Sequence, residues 1–71
     1  MRRAILEALR ARYEAEIAEA DATANIYLEN SVGIGEHPQH IEEVDKQINK
    51  IANAKEKLQV LDEFEPERSL L

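Results

Sequence analysis

Hydrophobic side chains recur at intervals of three and four over two long stretches of the chain, and neither stretch contains proline or glycine. In residues 3–29 the spacing runs through Leu6, Leu9, Tyr13, Ile17, Ala20, Ala24, Tyr27 and Leu28. In residues 39–64 it runs through Ile41, Val44, Ile48, Ile51, Leu58 and Leu61, with Lys55 interrupting. Intervals of three and four gather side chains on one face of a helix whose period is 3.6 residues. The intervening positions are dense in Ala, Glu, Arg, Lys and Gln, which lose little freedom in a helix. The pattern predicts two helices, at about 3–29 and about 39–64, and no strand.

Between them lies Asn30-Ser31-Val32-Gly33-Ile34-Gly35-Glu36-His37-Pro38, a predicted loop over 30–38. Asn30 or Gly33 can adopt the left-handed conformation that ends a helix, and Pro38 suits the first turn of the next. Glu65-Pro66-Glu67 closes the second helix and leaves residues 65–71 as a tail. Helices of this length would reach about 39 Å at 1.5 Å per residue, and a short connection makes them antiparallel neighbours. Folding back also sets Arg2, Arg3, Arg10 and Arg12 beside Asp62, Glu63, Glu65 and Glu67, a charge match that favours this register. The expected fold is all-α: one domain, an antiparallel two-helix hairpin.

The first helix carries a second stripe, about 180° from the first at 100° per residue. It consists of Ala4, Ala8, Ala11, Ala15, Ala18 and Ala22, continued by Ile26. Alanines let backbones approach toward the short end of the usual ~8–10 Å helix separation. The stripe is therefore a candidate self-association face, through which two hairpins would form a four-helix bundle. It could equally be a solvated face, since alanine is the best helix former and costs nothing exposed. An alternative dimer packs the two large-residue stripes together and leaves the alanines in water. Val60 and Phe64, one turn apart and read as lying away from the apolar stripe of the second helix, are candidates for a partner surface.

Size sharpens the case for association. The chain has 71 residues and no cysteine, so one domain is expected and no disulfide can form. A core this small rarely supplies more than ~3–5 kcal/mol, and the usual remedies are disulfides, metals or oligomerisation. Nine basic against fifteen acidic residues give a net charge of −6. That sign disfavours nucleic acid and anionic membrane as partners, and the four N-terminal arginines form no single stripe. The start, Met1-Arg2-Arg3-Ala4-Ile5-Leu6-Glu7, lacks the apolar core of a signal peptide, and no stretch approaches ~18 apolar residues. A cytoplasmic setting is expected.

Candidate chemistry is sparse. Glu36, His37, His40 and Glu43 could hold a divalent transition metal loosely, with His40 and Glu43 at i and i+3. The competing reading, which we favour, has His37 capping the second helix and His40 in solvent, with no metal or cofactor. Gly33-Ile34-Gly35 before a helix start suggests an anion site, but no strand precedes it, no Lys-Ser/Thr follows, and Glu36, Glu42 and Glu43 oppose an anion. For nucleophilic catalysis the candidates are Ser31 and Ser69, with no cysteine and without a pocket in a two-helix hairpin to organise them. Tyr13 and Tyr27 fall on the core stripe and read as packing residues. No catalytic residues are expected.

The Gly33-Ile34-Gly35-Glu36-His37 turn, Ile51-Ala52 midway along the second helix, and Leu58-Gln59-Val60-Leu61 near its end resemble a family of short proteins encoded by tailed phages of marine cyanobacteria and related bacteria. The likeness covers about the second half of the chain; the first helix is richer in alanine. It implies a viral accessory or virion-associated role, in an infected host's cytoplasm or in the virion, and carries over no functional residues. The combined expectation is a non-enzymatic helical module that binds itself and a host or virion protein. A metal-binding protein using the His37/His40 loop and a nucleic-acid-associated regulator using the arginines are the alternatives.

Overall fold

The computed structural model describes residues 1–29 and 37–66, with the side chains of residues 37 and 38 outside that description. It contains two helices, α1 (Arg2–Glu29) and α2 (His37–Phe64). Each is 28 residues long, about 42 Å at 1.5 Å per residue, and together they form a rod of 49 × 19 × 16 Å. α2 begins two residues before the predicted start, so that Pro38 falls within the first turn, where it removes no needed N–H donor. It ends at Phe64, ahead of Pro66, and the Glu65 amide closes the last turn on the Asp62 carbonyl at 3.3 Å.

The helices run antiparallel. At one end Arg2 donates to the Phe64 carbonyl and Arg10 to Asp62; at the other the rings of Tyr27 and His40 meet. Along α1 the face toward α2 is Leu6, Leu9, Tyr13, Ile17, Ala20, Ala24 and Tyr27, as the pattern predicted, with Ala20 and Ala24 the most covered. Leu28, assigned to the same face, stays exposed.

The α2 face differs from its predicted stripe. The residues turned to α1 are His40, Val44, Gln47, Ile51, Ala54, Leu58, Leu61 and Glu65, a strict alternation of four and three. Ile41 and Ile48 are 72% and 55% exposed, while Ala54 is 1% exposed and Gln47 is buried. Hydrophobicity alone selected 41 and 48; the contact selects 40, 47 and 54. The reason is steric. Three of the four buried apolar residues among those described are alanines (Ala20, Ala24 and Ala54), with Leu61 the fourth. Small side chains on the seam let the helices close up, and the larger ones are displaced to the edges. The four-three repeat is that of a left-handed coiled pair, and Gln47 is the buried polar residue on the described seam.

Candidate interaction surfaces

The termini end of the hairpin is tied by charge. The Arg10 Nη2 donates to Asp62 Oδ1 at 3.0 Å and lies 3.5 Å from Glu65 Oε1. Arg10 is 13% exposed in its side chain, and Glu65 is covered to a similar degree. The hydrogen bond to Asp62 raises the guanidinium pKa, and the charges of Asp62 and Glu65 add to it against the opposing effect of burial. Glu65, read from sequence as the first residue after the second helix, thus belongs to the packed end. Of the four clustered arginines, Arg2 and Arg10 reach α2, Arg3 pairs within its own helix with Glu7 at 3.5 Å, and Arg12 is exposed.

Beside that cluster, on the other face of the rod, an open groove of about 580 Å³ lies between the two helices. Its walls are Ile5, Leu6 and Leu9 from α1 and Val60, Leu61 and Phe64 from α2. Arg2 and Lys57 stand at its rim, and Lys57 Nζ lies 5.3 Å from the Tyr13 ring centroid, within cation–π range. Val60 and Phe64 are exposed, as expected of a partner surface, but they do not lie away from the hairpin contact. Val60 and Phe64 sit one position before Leu61 and Glu65 of the seam, which places them on its flank, where they form a wall shared with α1.

A second groove, of about 460 Å³, opens at the loop end. Tyr27, Leu28, Ile41, Val44 and Ile48 line it, with His40 and Asp45 at the edge. The Tyr27 and His40 rings meet edge to face, centroids 5.7 Å apart. His40 is therefore a half-buried seam residue and not the solvated one the sequence suggested. It falls on the seam because it lies seven residues before Gln47, a spacing that the hydrophobic pattern around Ile41 concealed.

The remaining predicted positions fall as follows. Ala4, Ala8, Ala11, Ala15, Ala18 and Ala22 are all exposed and point away from α2, with Ile26 continuing the stripe. Of the loose metal set, Glu36 and the His37 side chain lie outside the described residues, as do Ser31, Gly33 and Gly35; His40 and Glu43 lie on the first turns of α2. Among the described residues no group of three or more His, Asp or Glu side chains could hold a metal ion. No described helix is long and apolar enough to cross a membrane. Gln47, Ala54 and His40 were missed as seam residues; the four-three repeat they complete was the signal that could have found them.

The fold and its two grooves define a class of molecule: an antiparallel helical hairpin with an alanine-rich seam and apolar edges left open on both faces. No family model matches the chain, and neither a curated protein nor a solved structure matches it.

Proposed function

We propose that this protein is a small non-enzymatic interaction module, a helical hairpin that acts by associating with itself and by contacting other proteins. One observation carries the reading. Among the described residues no large side chain is fully buried, whereas Ile5, Leu28, Ile41, Ile48, Val60 and Phe64 are all exposed beside the seam. Burying a side chain of this kind fully contributes ~1.5–3 kcal/mol, so covering six that are already partly screened adds several kcal/mol. That is comparable with everything a core of this size supplies.

Six of the large exposed residues, Ile5, Leu28, Ile41, Ile48, Val60 and Phe64, lie along the seam edges, whereas the alanine stripe carries one, Ile26. The four-helix arrangement they favour is the one in which hairpins meet through their groove faces and the alanines stay in water. The likeness of Gly33-Ile34-Gly35-Glu36-His37 and of the α2 sequence to short phage proteins supports a viral accessory or virion-associated setting.

Association stabilises by mass action, so the melting temperature rises with protein concentration. Sedimentation together with thermal melts from about 1 to about 100 µM should show mass and Tm climbing together. A single-chain mass and a constant Tm across that range would refute the proposal.

A further inference from the structure

We infer that the two grooves are the two halves of one contact between copies, the basic-rimmed groove of one hairpin seating on the acidic-rimmed groove of the next. The inference rests on the self-association reading and specifies its geometry.

The grooves open on opposite faces. Side chains seven apart in a four-three repeat share a direction, which sets Glu43, Lys50, Lys57 and Phe64 on one side of the α2 seam and Ile41, Ile48, Lys55 and Asp62 on the other. The contacts agree. The termini-end groove shares Lys57 with the polar patch of Glu16, Glu19, Lys50 and Asn53, whereas Asp62 holds Arg10 on the opposite face. Each face of the rod therefore has one apolar end and one polar end, and the apolar end of one face lies at the polar end of the other.

A two-fold symmetric contact uses the same patch on both copies, so it can cover one groove and must leave the other open. It would also bring like charges together: Arg2 and Lys57 against their own copies at one groove, Asp45 against its own copy at the other. A head-to-tail contact covers both grooves with one interface and sets Arg2 and Lys57 opposite Asp45. Like-charge juxtaposition disfavours the wrong pairing, and the complementary rims fix the right one. Ile41 and Leu28, both exposed beside the loop-end groove, are the apolar side chains available to enter the termini-end groove lined by Leu9 and Phe64. Each copy then gives one face and receives the other, and the contact repeats as a ring or an open row.

Complementation of two defective chains tests this. Val60→Gln with Phe64→Gln removes the termini-end groove; Ile41→Gln with Ile48→Gln removes the loop-end groove. All four positions are exposed in the single chain, and glutamine is a good helix former. Each double variant by itself should sediment as one chain under conditions where the native protein assembles. An equimolar mixture should give a species of two chains and nothing larger, because the one intact pair of grooves cannot propagate. If either variant is unfolded by itself, the mixture should regain helical circular dichroism. Dimers of each separate variant, native-like assembly of both, or a mixture that behaves as the sum of its parts would overturn the inference. A native chain that stays single at every concentration would instead refute self-association itself.

Discussion

Replacing Ala54 with leucine should destabilise the hairpin, although it adds a better core residue at a helix position. Ala54 is 1% exposed on the seam where the helices are drawn together by small side chains. Leucine adds three carbons with no cavity to receive them, and overpacking of this kind costs ~1–3 kcal/mol. For a domain of this size 1 kcal/mol moves Tm by roughly 4–8 °C, so the melt should fall by about 5–20 °C. Lys55→Leu is the paired measurement. In the register suggested by hydrophobicity alone, residue 55 completes the 41-48-55 stripe, and leucine there would fill the core and raise Tm. In the observed register Lys55 is exposed, and the change should stay within about 0.5 kcal/mol. Both variants should be melted by far-UV circular dichroism at one low protein concentration, so that association does not enter. An Ala54→Leu chain that melts at or above the native temperature, together with a clear rise for Lys55→Leu, would refute the seam described above.

Three further outcomes follow from the termini end and the alanine face. Arg10→Gln leaves Asp62 and Glu65 facing one another without their cation; given that Asp62 is partly exposed and screened, the loss should be about 1 kcal/mol in dilute buffer, read as a lower Tm, and smaller in about 1 M salt. A raised basic pKa contributes stability that is complete below its unfolded value and is lost only above it, so Arg10 should not release this pair anywhere in the neutral or mildly alkaline range, and a titration of Tm should show no loss at Arg10 there. Ala11→Glu with Ala18→Glu should leave both fold and oligomer mass unchanged, because these positions face away from α2 and from both grooves; conversion to single chains by sedimentation would move the interface to the alanine stripe.

Helix number, helix limits and antiparallel pairing were legible in the sequence because each rests on strong local signals. Proline and glycine positions bounded the helices, and the arginine-rich start facing the acidic end set the register that Arg10 and Asp62 realise. The contact face of α1 was legible for the same reason, since Leu6, Leu9, Tyr13, Ile17, Ala20, Ala24 and Tyr27 all lie on the seam and Leu28 alone of the predicted stripe stays exposed. On α2 the predicted stripe and the seam do not coincide. Ile41 and Ile48 sit one position beyond His40 and Gln47, and a reading by hydrophobicity takes the isoleucines. Only a rule about separation, that small residues govern how closely two helices pack, distinguishes the two. The same displacement misplaced Val60 and Phe64, which stand one position before the seam and so became half of a groove. His40 was hidden by its polarity, although an edge-on ring contact with Tyr27 needs no apolar side chain.

The composition of the seam bears directly on why the molecule has surfaces to offer. Had leucine or isoleucine filled positions 20, 47 and 54, the helices would stand further apart around a wider core, and one hairpin could cover most of its own apolar area. With alanine and glutamine there, the seam contributes close contact and register but little burial. The large side chains are set instead at the edges, in two grooves at opposite ends, with Arg2 and Lys57 at the rim of one and Asp45 at the rim of the other. A hairpin built in this way is most stable when covered from both sides, and what may cover it is restricted by the rims. Under the proposed self-association, stability and recognition depend on the same residues, and a substitution that makes the single hairpin self-sufficient by widening its core should weaken assembly.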